Sequence, residues 1–69
     1  DPGSATAHYN LGSSLARSGK FAEAESHLRA AIEADPKNAA ARQKLSEVLE
    51  SLGRKDEARR ESETAKASG

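Results

Sequence analysis

The chain reads DPGSATAHYNLGSSLARSGKFAEAESHLRAAIEAD over residues 1–35 and DPKNAAARQKLSEVLESLGRKDEARRESETAKASG over residues 35–69. When the second stretch is aligned on the first with an offset of 34 residues, ten positions are identical. They include the leading Asp-Pro pair, two leucines and a glycine (Gly19 and Gly53). A fixed period of this length is typical of stacked repeats, in which each unit buries its apolar face only against a neighbour. The period therefore predicts the architecture and favours binding or assembly over catalysis.

The pattern of apolar residues and breakers predicts four helices and no strand. The predicted helices run from about Ala5 to Ser18, Phe21 to Ala34, Ala39 to Leu52 and Lys55 to Ala67. Ser4 and Asn38 are the expected N-caps of the first and third helices. Gly19 and Gly53 are suited to the left-handed conformation that follows a helix end. The prediction is an all-α chain of two helix-turn-helix repeats, with four antiparallel helices in an α-solenoid.

Small and large apolar residues alternate in a way that suits close helix packing. Gly12 and Ala24 leave room for the two helices of the first repeat to approach each other. Leu11, Leu15 and Leu28 are expected to fill the space between them. The equivalent positions of the second repeat predict the same packing there.

The fourth predicted helix differs from the others, because no large apolar side chain follows Leu52. Its inward positions are Ala58, Ser62 and Ala65. One interpretation is a polar capping helix that solvates the end of an array. The other is a partly disordered tail. We favour the cap, with fraying toward Gly69.

Composition restricts the classes of function. The chain has 11 basic and 11 acidic residues, so it lacks the charge excess of a nucleic-acid or anionic-membrane binder. It contains no cysteine, which removes disulfides, thiol nucleophiles and thiolate metal sites. No run is apolar enough for a signal peptide or a transmembrane helix. We expect a single soluble domain over residues 1–69, in a compartment that the sequence does not indicate, without membrane insertion.

These residues resemble the tetratricopeptide repeat, a 34-residue helix-turn-helix unit with the pattern Trp-x2-Leu-Gly-x2-Tyr, then Ala-x3-Phe, Ala and Pro. The first repeat reads His8-x2-Leu11-Gly12-x2-Leu15, Gly19, Ala24-x3-Leu28, Ala31 and Asp35-Pro36. The second reads Arg42-x2-Leu45-Ser46-x2-Leu49, Gly53, Ala58-x3-Ser62 and Ala65. The family's usual aromatic residues are replaced in both repeats.

The resemblance implies a first repeat over about residues 5–38 and a second over about 39–69. Residues 1–4 then look like the tail of a preceding repeat, and we expect the C-terminal portion of a longer array. The implied function is a non-catalytic scaffold that presents a concave groove to a peptide or helix of another protein. The alternative is a structural, array-ending or weakly self-associating segment that uses its N-terminal edge and has no ligand.

In this family the first helix of each repeat lines the groove. The implied groove residues are Thr6, Tyr9, Asn10, Ser13, Ala16 and Arg17, followed by Ala40, Gln43, Lys44, Glu47, Glu50 and Ser51. All but Ala16, Ala40 and Ser51 are candidate contacts for a partner.

Family members that hold a peptide carboxylate use an Asn on one repeat and two basic residues on the next. Asn10 and Lys44 match two of these positions, but Ala40 replaces the second base, and Glu47 and Glu50 add opposing charge. The sequence therefore favours a solvated polar face with unspecified peptide contacts over a carboxylate clamp.

Other chemistry is not indicated. His8 and His27 lie 19 residues apart, on different predicted helices and without acidic or cysteine companions at ligand spacing. We interpret them as surface or packing residues rather than as metal ligands or general bases. No nucleophile elbow or phosphate-binding loop is present. The prediction is a protein that is not an enzyme and needs no cofactor.

Overall fold

The computed structural model describes residues 2–68, and side chains from residue 4 to residue 67. These residues form four helices, α1 (Pro2–Arg17), α2 (Phe21–Ala34), α3 (Ala39–Ser51) and α4 (Lys55–Ser68), and within them no strand. α1 packs on α2 and α3 on α4, while α2 packs on α3. The all-α arrangement of two helix-turn-helix repeats is confirmed. Helices α1 and α3 also touch, which places the first helices of the two repeats side by side.

The start of α1 differs from the prediction. The helix begins at Pro2 and not at about Ala5, so Ser4 lies inside its first turn and is not its N-cap. Proline is well tolerated in the first turn because an amide N–H there has no partner within the helix. The assignment of residues 1–4 to a preceding repeat stays a prediction, and Asp1 lies outside the described residues.

The turn within each repeat is built in the same way twice. Gly19 has φ of 82° and Gly53 has φ of 81°, the left-handed conformation expected of both. In each turn the amide after the glycine donates to a carbonyl of the preceding helix, that of Leu15 or Leu49, over 2.9 Å. This bond closes the helix end, because it satisfies a carbonyl that has no further helical partner.

The junction between the repeats carries the predicted cap. Asp35 ends α2, and the Asn38 side-chain oxygen accepts a hydrogen bond from the Ala41 amide over 3.2 Å at the start of α3. A side-chain cap of this kind typically contributes about 1 kcal/mol to helix stability. The prediction for Asn38 is confirmed.

The core lies where the two repeats meet. Its fully buried large residues are Leu28, Leu45, Val48 and Leu49. The predicted inward positions Ala58 and Ala65 of α4 are also buried. α4 is helical through Ser68, as the polar-helix interpretation requires, and the fraying expected toward Gly69 lies outside the described residues.

The prediction for Leu11 is wrong. Leu11 is 46% exposed, whereas Leu45, its counterpart one period later, is fully buried. The difference arises because α2, the second helix of the first repeat, packs on α3. None of the described helices packs on α1 in the equivalent position. An exposed leucine at this position marks the open edge of the stack.

Close approach within the first repeat depends on Gly12. A Cβ atom at this position would lie 2.8 Å from Cγ of Leu28 and 3.3 Å from the Ala24 carbonyl oxygen. The second repeat has Ser46 instead, whose buried hydroxyl donates to the Ala58 carbonyl over 2.7 Å. Small residues thus bring the helices of both repeats together, as predicted.

An ion-pair network joins the second turn to the preceding repeat. Arg54 donates to both carboxylate oxygens of Glu57 over 2.8 and 2.9 Å, and to Glu25 of α2 over 2.8 Å. Arg29 donates to Glu25 over 2.9 Å. Burial alone would raise the pKa of Glu25, but the hydrogen bonds from Arg54 and Arg29 hold that pKa below its ordinary value. The Arg54 bonds likewise lower the pKa of Glu57, and they raise the pKa of Arg54 itself.

Candidate functional site

A groove of about 660 Å³ lies between α1 and α3. Its walls come from one face of each helix, because the lining positions recur at intervals of three and four residues. The lining residues are Tyr9, Asn10, Ser13, Ala16 and Arg17 of α1, Phe21 of α2, and Lys44, Glu47, Val48 and Ser51 of α3. The repeat fold therefore forms this groove by placing α1 beside α3.

Most of the residues implied by the sequence lie around this groove. Eight of the twelve line it: Tyr9, Asn10, Ser13, Ala16, Arg17, Lys44, Glu47 and Ser51. Gln43 and Glu50 instead line a separate depression between α3 and α4. Thr6 and Ala40 are exposed and lie outside the lining of the groove. That a partner contacts any of them stays a prediction.

Sequence reasoning missed two lining residues, Phe21 and Val48, because it assigned both only to the core. Val48 is 1% exposed and Phe21 is half-buried against the same core cluster. Both side chains belong to the core and also border the groove. Together with Tyr9 and Ala16 they form the apolar part of its lining. The repeat register gives a signal for Val48, since it lies four residues after Lys44 on the same face.

The polar part of the groove carries two cations, Arg17 and Lys44, against one anion, Glu47. The ammonium of Lys44 lies 3.4 Å from a Glu47 carboxylate oxygen, a solvent-exposed pair that contributes little to stability. Glu50, expected to add opposing charge, is not in the lining. The hydroxyl of Ser13 is buried and has no hydrogen-bond partner among the residues that the structure describes.

In residues 2–68, no three side chains of His, Cys, Asp or Glu come together as they would around a metal ion. Of the four helices described, none is long and apolar enough to cross a bilayer.

Two stacked helix pairs with a groove between their first helices define a helical-repeat protein of the solenoid class. A family model described as tetratricopeptide repeat matches residues 15–68, which is most of the chain. The chain therefore belongs to the tetratricopeptide repeat family. Repeats of this family are generally protein–protein interaction modules and typically non-catalytic. No curated protein matches the chain.

Proposed function

We propose that the groove between α1 and α3 binds a segment of a partner protein. The observation that carries the proposal is the combination of apolar and polar residues in the lining of one concave surface. Binding sites commonly have this composition, in which the apolar surface supplies affinity and a few polar groups fix the orientation.

The aromatic and charged residues of the groove indicate which kind of partner segment it would bind. Tyr9 and Phe21 are half-buried aromatic residues, which are favourable contacts for an inserted apolar side chain. Arg17 and Lys44 give the sides a net positive charge, which favours a segment with an acidic or other hydrogen-bond-accepting group. The proposed ligand is a short peptide or helix with an apolar anchor and an acidic neighbour.

The experiment starts with a phage-displayed peptide library selected on the purified chain, followed by fluorescence anisotropy with the selected peptides. Tyr9→Ala and Lys44→Glu are expected to weaken binding at least about tenfold, as loss of a central contact usually does. Lys55→Glu is the matched control, because it reverses a lysine charge on α4 outside the groove. Circular dichroism verifies that all variants fold equally. Peptide binding that is unchanged in both groove variants would refute the proposal.

The second candidate is a structural, self-associating segment without a ligand, and the exposure of Leu11 favours it specifically. An exposed leucine whose repeat counterpart is covered by a helix is a surface that association of two copies would bury. This candidate predicts a mass above that of the monomer in analytical ultracentrifugation, and a melting temperature that rises with protein concentration. Leu11→Glu should abolish both. A monomer at all concentrations would eliminate it.

A further inference from the structure

The two histidines of the chain, predicted to be separate surface or packing residues, meet across the α1–α2 interface. The Nδ1 atom of His8 lies 3.2 Å from the Nδ1 atom of His27. The ring planes are 26° apart, and the ring centroids are 5.5 Å apart. Because the centroids are much farther apart than the two nitrogens, the rings approach by their Nδ1 edges rather than by their faces. Both residues are half-buried.

The second repeat shows that this contact follows from the fold. The positions one period after His8 and His27 are Arg42 and Glu61. An Arg42 guanidinium nitrogen and a Glu61 carboxylate oxygen lie 3.5 Å apart across the α3–α4 interface. The repeat thus brings the same two positions together in both units. In the second repeat an ion pair of opposite charges occupies them, and in the first repeat two imidazoles do.

We propose that His8 and His27 form a binding site for a divalent transition-metal ion of the zinc type. Imidazole nitrogen is a preferred donor for Zn²⁺, Ni²⁺ and Cu²⁺. Two nitrogens bound to one tetrahedral Zn²⁺ at about 2.0–2.1 Å lie roughly 3.3 Å from each other. The observed Nδ1–Nδ1 distance is close to that value, and rotation of the two rings, whose Nδ1 edges now face each other, would bring both lone pairs onto one ion.

Metal binding changes which ring nitrogen of one histidine carries the proton. A hydrogen bond between the two Nδ1 atoms of the metal-free pair requires that one neutral ring carry its proton on Nδ1 and the other on Nε2. Metal binding needs both Nδ1 atoms unprotonated, with the proton of each neutral ring on Nε2. The ring that carried its proton on Nδ1 gives that proton to water and takes one up on Nε2, so the ion enters between the two Nδ1 atoms with no net release of protons and no oxidation or reduction.

The site is open on one side. His8 lines a shallow depression together with Ser4 and Glu33, so an ion can approach it from solvent. With two protein ligands, water completes the coordination, since no group of three metal-ligating side chains exists among residues 2–68. The ion would link α1 to α2 and thereby stabilise the folded state.

The first experiment is a thermal melt of the untagged chain at pH 7.5, with and without ZnCl₂. At a Zn²⁺ concentration ten times the dissociation constant, the melting temperature should rise by about 5–10 °C, as expected from linkage in a domain of this size. His8→Asn and His27→Asn should each abolish the rise. The matched control is the double variant His8→Arg/His27→Glu, which copies the pair of the second repeat and keeps a contact between the helices without metal ligands.

The converse variant, Arg42→His/Glu61→His, should install a second site and double the stoichiometry of Zn²⁺ in isothermal titration calorimetry. Nuclear magnetic resonance gives a direct readout, because the chain has only two histidines and Zn²⁺ must shift both imidazole signals together. The proposal is overturned if the wild-type chain shows no rise, if the rise persists in the Arg/Glu control, or if only one imidazole signal moves.

Discussion

Gly12→Ala tests whether the close approach of α1 and α2 sets the stability of the first repeat. The added Cβ would lie 2.8 and 3.0 Å from Cγ and Cδ2 of Leu28, whereas unstrained carbon contacts are about 3.5–4.0 Å. Leu28 is fully buried, so its side chain can shift only by displacing its neighbours in the core. Overpacking of this kind costs about 1–3 kcal/mol. The higher helix propensity of alanine returns about 1 kcal/mol, so the net destabilisation should be about 0–2 kcal/mol.

Because the expected net destabilisation by Gly12→Ala is small, the contribution of helix propensity has to be measured separately in the same helix. Ala7 is exposed on α1, so Ala7→Gly measures the alanine–glycine difference without a packing change. The sum of the two measured losses isolates the steric cost, expected to be about 1–3 kcal/mol. Urea denaturation followed by circular dichroism at 222 nm gives both values. For a chain of this length, 1 kcal/mol corresponds to a change of about 4–8 °C in melting temperature.

A double-mutant cycle identifies the atoms responsible. Leu28→Ala removes the two nearest atoms, and of the three nearest atoms the Ala24 carbonyl oxygen at 3.3 Å remains. In that background Gly12→Ala should become stabilising by about 1 kcal/mol, the propensity term alone. Because Leu28→Ala itself costs about 2–5 kcal/mol, all four proteins are measured in the same trimethylamine N-oxide concentration. Equal effects of Gly12→Ala in both backgrounds, or stabilisation by the full propensity term in the wild type, would refute the argument.

Two further predictions use the same comparison of repeats and the ion-pair network. Leu45→Ala should lower the free energy of unfolding by about 2–5 kcal/mol and Leu11→Ala by less than about 1 kcal/mol, as measured by urea denaturation. The reason is that a neighbouring helix covers Leu45 and not Leu11. Equal losses in the two variants would contradict the assignment of Leu11 to the open edge of the stack. The pKa of Glu25 is lower in the folded chain, so its stabilising contribution is present above the unfolded value of 4.5 and is lost as pH falls through the folded value. The melting temperature of Glu25→Gln should therefore lie below that of the wild type at pH 6, and the difference should shrink as pH falls below 4.5. A difference that stays constant down to pH 3 would count against the network.

Local signals predicted the turns and the repeat fold because the determining residues act on their own backbone. Gly19, Gly53 and Asn38 each satisfy a requirement of a helix end that depends on few other residues. The start of α1 was harder to predict, since Asp35-Pro36 ends a helix whereas Pro2 begins one. A proline is compatible with either role, and the residues around it decide which applies.

The exposure of Leu11 and the full lining of the groove could not be predicted from the sequence, because both depend on which helices pack together. The spacing of Leu11 and Leu15 predicts that they share a helix face, but spacing alone does not show which helix covers that face. Phe21 and Val48 border both the core and the groove, a double position that a sequence stripe does not reveal. The contact between His8 and His27 was within reach of sequence reasoning, because the opposite charges one period later mark the same two positions as neighbours.

Residues that differ between the two repeats differ in contacting pairs, with one member on each helix of the repeat. This explains why some positions of each repeat match the family pattern and others do not. Leu28 fills the space in front of Gly12, so a Cβ at that position would overlap the Leu28 side chain. In the second repeat Ser62 replaces this leucine, and Ser46 stands in place of the glycine, with its hydroxyl bonded to Ala58. Ser46 and Ser62 line the same depression, so the smaller side chain at 62 leaves the space that the side chain at 46 needs. What the fold preserves is the fit of each cross-helix pair, and either partner alone can depart from the pattern when the other compensates.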